Sequence, residues 1–217
     1  MDNLQEYLVS KAPPSVFYIP DFITKEEEAH ILDKVYSVPK PKWTNLSNRR
    51  LQDYGGVPHK NGMICEKIPT WLELYMKRIS DLKLFGDGKT ANHVLINEYL
   101  PDQGIMPHTD GPLFYPTVAT ISCGSHTILE FFNTDNRDTI CNLLLEPRSL
   151  IILQDDMYNK YLHSISEIAE DEITDKCVNL IQCKNNYTVG QIVKRSVRVS
   201  LTIRNVPKVS KLKLWNL

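Results

Sequence analysis

A chain of 217 residues with 42% hydrophobic and 24% charged residues has the composition of one globular domain with its own core. Its five cysteines, with no C-x-x-C spacing, argue against a disulfide framework and a thiolate zinc site, and point to free thiols in a reducing compartment. The net charge of −1 argues against a uniformly basic protein.

The charges are nevertheless segregated. Residues 34–60 hold six basic residues against one acid, 101–183 hold 13 acids against four basic residues, and 184–217 hold eight basic residues and no acid. Two basic blocks around an acidic middle form either a track for a polyanion or ordinary solvated faces. The first residues lack the basic and apolar regions of a secretory signal, and no apolar run approaches a membrane span. A soluble monomer in the cytoplasm, the nucleus or both is expected.

Taken in order, "FITKEEEAHILDKVYSV" (22–38) reads as an amphipathic helix with Thr24 as N-cap, acids in its first turn and Ile31, Leu32 and Val35 as its apolar stripe. "PKPKW" ends it, because proline cannot continue a helix. Residues 39–62 read as a long polar loop, and "PTWLELYMKRISDL" (69–82) as a second helix. From about residue 90 the texture becomes short β segments: "NHVLINEYL", "TVATISC", "HTILEFF", "NLLLEP", "SLIILQ", "QIVKRS" and "RVSLTIRNV". Two helices followed by a run of strands predict an α+β domain, a jelly roll (double-stranded β-helix) with helices packed outside. Residues 1–89 supply the helices and a lid loop of that same domain, and 90–217 the core. The acidic stretch 164–188 lacks periodicity and reads as an insertion loop with freedom to move.

The chemistry-bearing residues fall in the β region. In "RVSLTIR" (198–204), Arg198, Ser200, Thr202 and Arg204 share one face, and Val199, Leu201 and Ile203 the other. If the apolar face packs on helices, two arginines point inward, where a cation needs an acid or a ligand. The same spacing also fits an ordinary strand with its arginines in water. Asn97 and Tyr99 in "NEY" share a side of their strand, and both can donate hydrogen bonds to a carboxylate. After them comes "DQGIMPHTDG", with His108 and Asp110. H-x-D alone is near chance. It needs a third ligand, His163 or His126. His163 is the better match because a jelly roll joins strands distant in sequence. Two histidines and one aspartate on one side of a divalent metal form the facial triad of non-haem Fe(II) oxygenases, leaving room for a bidentate 2-oxo acid and O2.

Asn97, Tyr99, His108, Asp110, His163, Arg198 and Arg204, in this order and spacing, resemble the AlkB family of Fe(II)/2-oxoglutarate dioxygenases, and the likeness covers residues 90–206. The resemblance implies that His108, Asp110 and His163 hold Fe(II), and that Asn97 and Tyr99 contact 2-oxoglutarate. It gives Arg198 the distal carboxylate and Arg204 the end nearer iron, with Ser200 between them. It further implies that 2-oxoglutarate loses CO2 to give succinate while O2 supplies an oxygen to a C–H bond, and that an N-methyl group so hydroxylated leaves as formaldehyde. The expected partner is then a nucleic acid, single-stranded or with a flipped base. In the lid region 39–62, Trp43, Arg49, Arg50, Tyr54 and His59 would stack on a base and meet phosphates, or else pack the loop on the core.

One departure from the family stands out. Base-repairing members tend to carry an acid shortly after the ligand aspartate, whereas here Gly111, Pro112 and Leu113 follow. That keeps two alternatives open: a dioxygenase hydroxylating or demethylating a protein side chain, and a weakly catalytic nucleic-acid-binding protein.

Overall fold

In the computed structural model, which describes residues 4–210, the strands and helices run in the following order. The first half holds β1 (Val16–Ile19), α1 (Lys25–Tyr36), β2 (Thr44–Leu46), β3 (Arg49–Tyr54), α2 (Thr70–Ser80) and β4 (His93–Tyr99). Next come β5 (Ile105–His108), β6 (Thr117–Cys123), β7 (Thr127–Asn133), β8 (Thr139–Leu145), β9 (Leu150–Gln154) and α3 (Asp155–Asn159). The chain continues through β10 (Tyr161–Ile165), β11 (Glu170–Glu172), β12 (Ile192–Lys194) and β13 (Arg198–Arg204).

A seven-stranded sheet, ordered β1-β9-β6-β13-β4-β3-β2, faces a four-stranded sheet, ordered β5-β10-β7-β8, and β11 and β12 form a small separate ribbon. This is the expected jelly roll. Period-two alternation decides what each face of the large sheet meets. Val94, Ile96, Ala119, Ile121, Ile152, Val199, Leu201 and Ile203 pack with Ile31, Val35, Leu72 and Ile79 of α1 and α2. Val118, Ile151 and Leu153, one residue out of phase, pack with Leu129, Phe131, Leu143 and Leu145 of the small sheet. Each fully buried Ile or Leu contributes about 1.5–3 kcal/mol.

Both predicted helices form, about two residues shorter at the ends. Thr24 accepts from Glu27 N while the Glu27 carboxylate accepts from Thr24 N, so the helix start is capped reciprocally.

Two expectations are corrected. Residues 39–62 are not a plain loop: β2 and β3 form a hairpin whose second strand pairs with β4, Arg50 opposite Glu98 and Leu51 opposite Asn97. "RRLQDY" looks loop-like because its polar residues are satisfied by neighbours, as when Gln52 Nε2 donates to the Val35 carbonyl. The acidic stretch 164–188 is not a free loop either. Ile173 and Cys177 are buried against Ile128 and Leu144, and the Asn179 side chain pairs with both the N–H and the carbonyl of Leu144, as a neighbouring strand would. Asp171 takes a bidentate pair of 2.7 Å bonds from Arg195, with both side chains almost fully buried. Polar anchors leave no apolar periodicity to read.

Removing one partner of that ion pair strands the other charge away from water. Asp171→Ala should therefore lower stability by about 3–5 kcal/mol in urea unfolding, far more than loss of an exposed pair.

Candidate metal centre and its pocket

A cavity of about 650 Å³ lies between the sheets, within the range of small-molecule sites. At one end β5 runs antiparallel to β10 with His108 directly opposite His163, which brings the two rings to 4.3 Å between centroids. Asp110, two residues on, returns to the same side. Ligand atoms of His108, Asp110 and His163 all lie within 4.8 Å of one another. His108 Nδ1 donates to the Met106 carbonyl at 2.8 Å, which leaves Nε2 free to meet a metal.

The electrostatics prepare this corner for a cation. Burial alone would raise the Asp110 carboxyl, but Arg204, His163 and His108 together outweigh it and hold the group below the usual carboxylate range. Burial pushes the His163 imidazole down to about 4, so its lone pair is free near neutral pH. Arg204 is ion-paired to Asp110 and lies 4.5 Å over the Phe114 ring. The backbone after Asp110 is held by Tyr158, whose hydroxyl donates to the Gly111 carbonyl at 3.0 Å.

At the far end Arg198 is 4% exposed, donates to Ser122 Oγ at 2.9 Å and sits 5.7 Å from the Tyr99 ring centroid. Its Nε has no partner, and no carboxylate pairs with it among the described residues. Burial lowers its pKa to about 10, so it remains a cation at neutral pH. Asn97, Tyr99 and Ser200 are buried and line the same cavity. The metal-site and co-substrate residues expected from sequence thus converge on one pocket, with both arginines turned inward.

The residues present fit the groups in question. Two imidazoles and a carboxylate on one side of a cavity match the ferrous facial triad. An uncompensated buried arginine beside Asn97, Tyr99 and Ser200 suits the far carboxylate of a dicarboxylic acid.

The remaining candidates are sorted by the strand pairing. Of the lid set, only Arg49 lines the cavity. Arg50 forms a bidentate pair with Glu98, at 2.6 and 2.9 Å, and lies 4.1 Å over the Trp43 ring. Tyr54 is buried against Trp71 and donates to Gln52 Oε1. Alternation explains the split, since positions 50, 52 and 54 face the helices while 49 faces the pocket. His59 is exposed, in a turn with Asn61. His126 is no metal ligand: its Nε2 lies 3.1 Å from Asp171, in the buried Arg195 cluster. The basic run 184–217 makes no continuous surface track among the described residues, because Arg195, Arg198 and Arg204 are buried. Its Lys211 and Lys213 lie outside the described residues.

Sequence reasoning missed Ser122, Phe114, Tyr158 and the hairpin tip Leu46, Ser47 and Asn48. None belongs to a motif; only strand pairing brings them in.

Fold and site together define an iron- and 2-oxo-acid-dependent oxygenase. The family model described as "2OG-Fe(II) oxygenase superfamily" matches residues 35–204, and the chain belongs to that superfamily. A Danio rerio protein named "Probable RNA/DNA demethylase ALKBH6" is 50% identical over 98% of this chain and 94% of its own length. "Uncharacterized protein L905" of Acanthamoeba polyphaga mimivirus is 29% identical, covering 88% of this chain and 84% of its own. The solved structure titled "The structure of OsALKBH1" shares the fold at a TM-score of 0.61 and 13% identity, over 89% of this chain and 97% of that one. The chain is an AlkB-like Fe(II)/2-oxoglutarate-dependent dioxygenase. Among the described residues no helix is long and apolar enough to cross a membrane.

If Tyr158 holds the Asp110 corner, Tyr158→Phe should weaken Fe(II) binding about tenfold in a metal titration and leave the fold intact.

Proposed function

We propose that this protein oxidatively demethylates a nucleic-acid base, with Fe(II) held by His108, Asp110 and His163 and 2-oxoglutarate as co-substrate. The observation that carries the reading is the pairing of that ligand triplet with Arg198, a buried cation with no acid of its own, in one cavity. When bound, the metal and co-substrate supply O2 activation coupled to loss of CO2 from 2-oxoglutarate. The chain's own residues orient the reactants. Arg198, held by Ser122, anchors the distal carboxylate, Tyr99 and Ser200 line its path, and Asn97 donates near the 2-oxo end. Arg204 keeps Asp110 ionised and turned toward the metal.

The apolar walls Leu95, Val118, Leu129 and Ile151 keep water from the reacting centre. The cavity is larger than a five-carbon dicarboxylate needs, and the rest suits a planar base. Arg49 at the mouth is placed for a phosphate, and the name of the Danio rerio relative favours the same substrate class. Such a base must leave its stack to enter.

Succinate formation by the Fe(II)-loaded protein, run with methylated DNA, RNA and peptide substrates, tests this. Turnover should rise with a methylated oligonucleotide, release formaldehyde and vanish in His108→Ala. Stimulation by peptides alone would move the assignment to a protein-directed oxygenase, and salt-dependent oligonucleotide binding without turnover would move it to a binding protein. Arg198→Lys should raise the KM for 2-oxoglutarate by roughly 10–100-fold, because an ammonium cannot reproduce the planar fork.

A further inference from the structure

The β2–β3 hairpin is fastened to the pocket at two points beside its tip. Inside, Arg49 Nε donates to Asn97 Oδ1 at 3.1 Å. Outside, Asn48 Nδ2 donates to Glu167 Oε1 at 2.5 Å, joining residues 119 apart in sequence. The approach depends on Gly104, where a Cβ would stand 2.1 Å from the Ile165 carbonyl oxygen and 3.1 Å from Glu167 Cγ. Leu46, Asn48, Arg49, Gly104 and Ile165 line the cavity, so the hairpin is strapped across its mouth.

Arg49 differs from the arginines around it. Arg204 is paired with Asp110 and Arg50 with Glu98, whereas Arg49 pairs with no carboxylate among the described residues. Its acceptor is the Asn97 amide, which is buried on the cavity wall and whose Nδ2 has no protein acceptor among the described residues. An amide donates from one end and accepts at the other, so a ligand that engages Nδ2 also decides where Oδ1 points.

We propose that Arg49 is a positioning residue through which bound 2-oxoglutarate fastens the β2–β3 hairpin. The co-substrate accepts from Asn97 Nδ2, the amide is thereby locked with Oδ1 toward Arg49, and the hairpin tip settles on Glu167. This rests on the co-substrate reading above.

Amide hydrogen exchange over residues 44–51 of the full, Fe(II)-loaded chain tests the coupling, with 2-oxoglutarate binding measured separately by calorimetry. In the unaltered protein 2-oxoglutarate should slow exchange in the hairpin about tenfold, the effect of one charge-assisted hydrogen bond. Arg49→Ala and Arg49→Lys should both bind 2-oxoglutarate yet lose that slowing. Equal slowing in the variants, or bound 2-oxoglutarate with unchanged exchange in the unaltered protein, would overturn the coupling while leaving the co-substrate site standing. Failure of the unaltered protein to bind 2-oxoglutarate would overturn both.

Discussion

Strand β13 is buried on both faces, and those faces make opposite demands. Toward α1 and α2 it presents Val199, Leu201 and Ile203, which form part of the core. Toward the cavity it presents Arg198, Ser200, Thr202 and Arg204, none more than 9% exposed. The apolar face fixes the phase of the strand, because a shift by one residue would drive two guanidiniums into the helix-packed core. Once the phase is fixed, the cations have no choice but the interior. The stability of the domain and the polarity of its site therefore rest on the same seven residues.

The two arginines meet that demand differently. Arg204 is neutralised within the protein by Asp110, which commits that carboxylate to one orientation. Arg198 is left with a serine hydroxyl and an aromatic neighbour. A buried charge without a counter-charge is unfavourable, and a dianionic ligand would relieve it. In the proposed co-substrate site, part of the ligand's affinity would come from relieving the cost of that buried cation, and binding would feed back on stability by mass action.

Much of this was legible in the sequence, and the limits have physical causes. The alternation of 198–204 announced a two-faced strand, and His108, Asp110, Asn97 and Tyr99 sit in motifs short enough to read locally. His163 is reachable only through topology, because the β5–β10 pairing and no local motif sets it, rather than His126, opposite His108. In the lid the two readings divide between neighbouring residues: Arg49 and Arg50 are chemically identical, and only the pairing of β3 with β4 sends one to the cavity and the other to Glu98. The stretch 164–188 was misread because Asp171 and Asn179, not apolar spacing, hold it in place. Polar anchoring leaves no periodic signal.

The position of His108 opposite His163 has one more consequence. A cross-strand pair exists only in one register of β5 against β10, and a slip of a single residue would turn one imidazole to the opposite face of the sheet. If these two imidazoles hold the metal, as proposed, metal affinity would be a direct readout of strand alignment. A chain that closes its small sheet out of step can still be compact and hydrogen-bonded, yet it loses the paired imidazoles on which metal capture depends. In that reading, acquisition of the ion would act as an inspection of the fold, passed by correctly registered molecules.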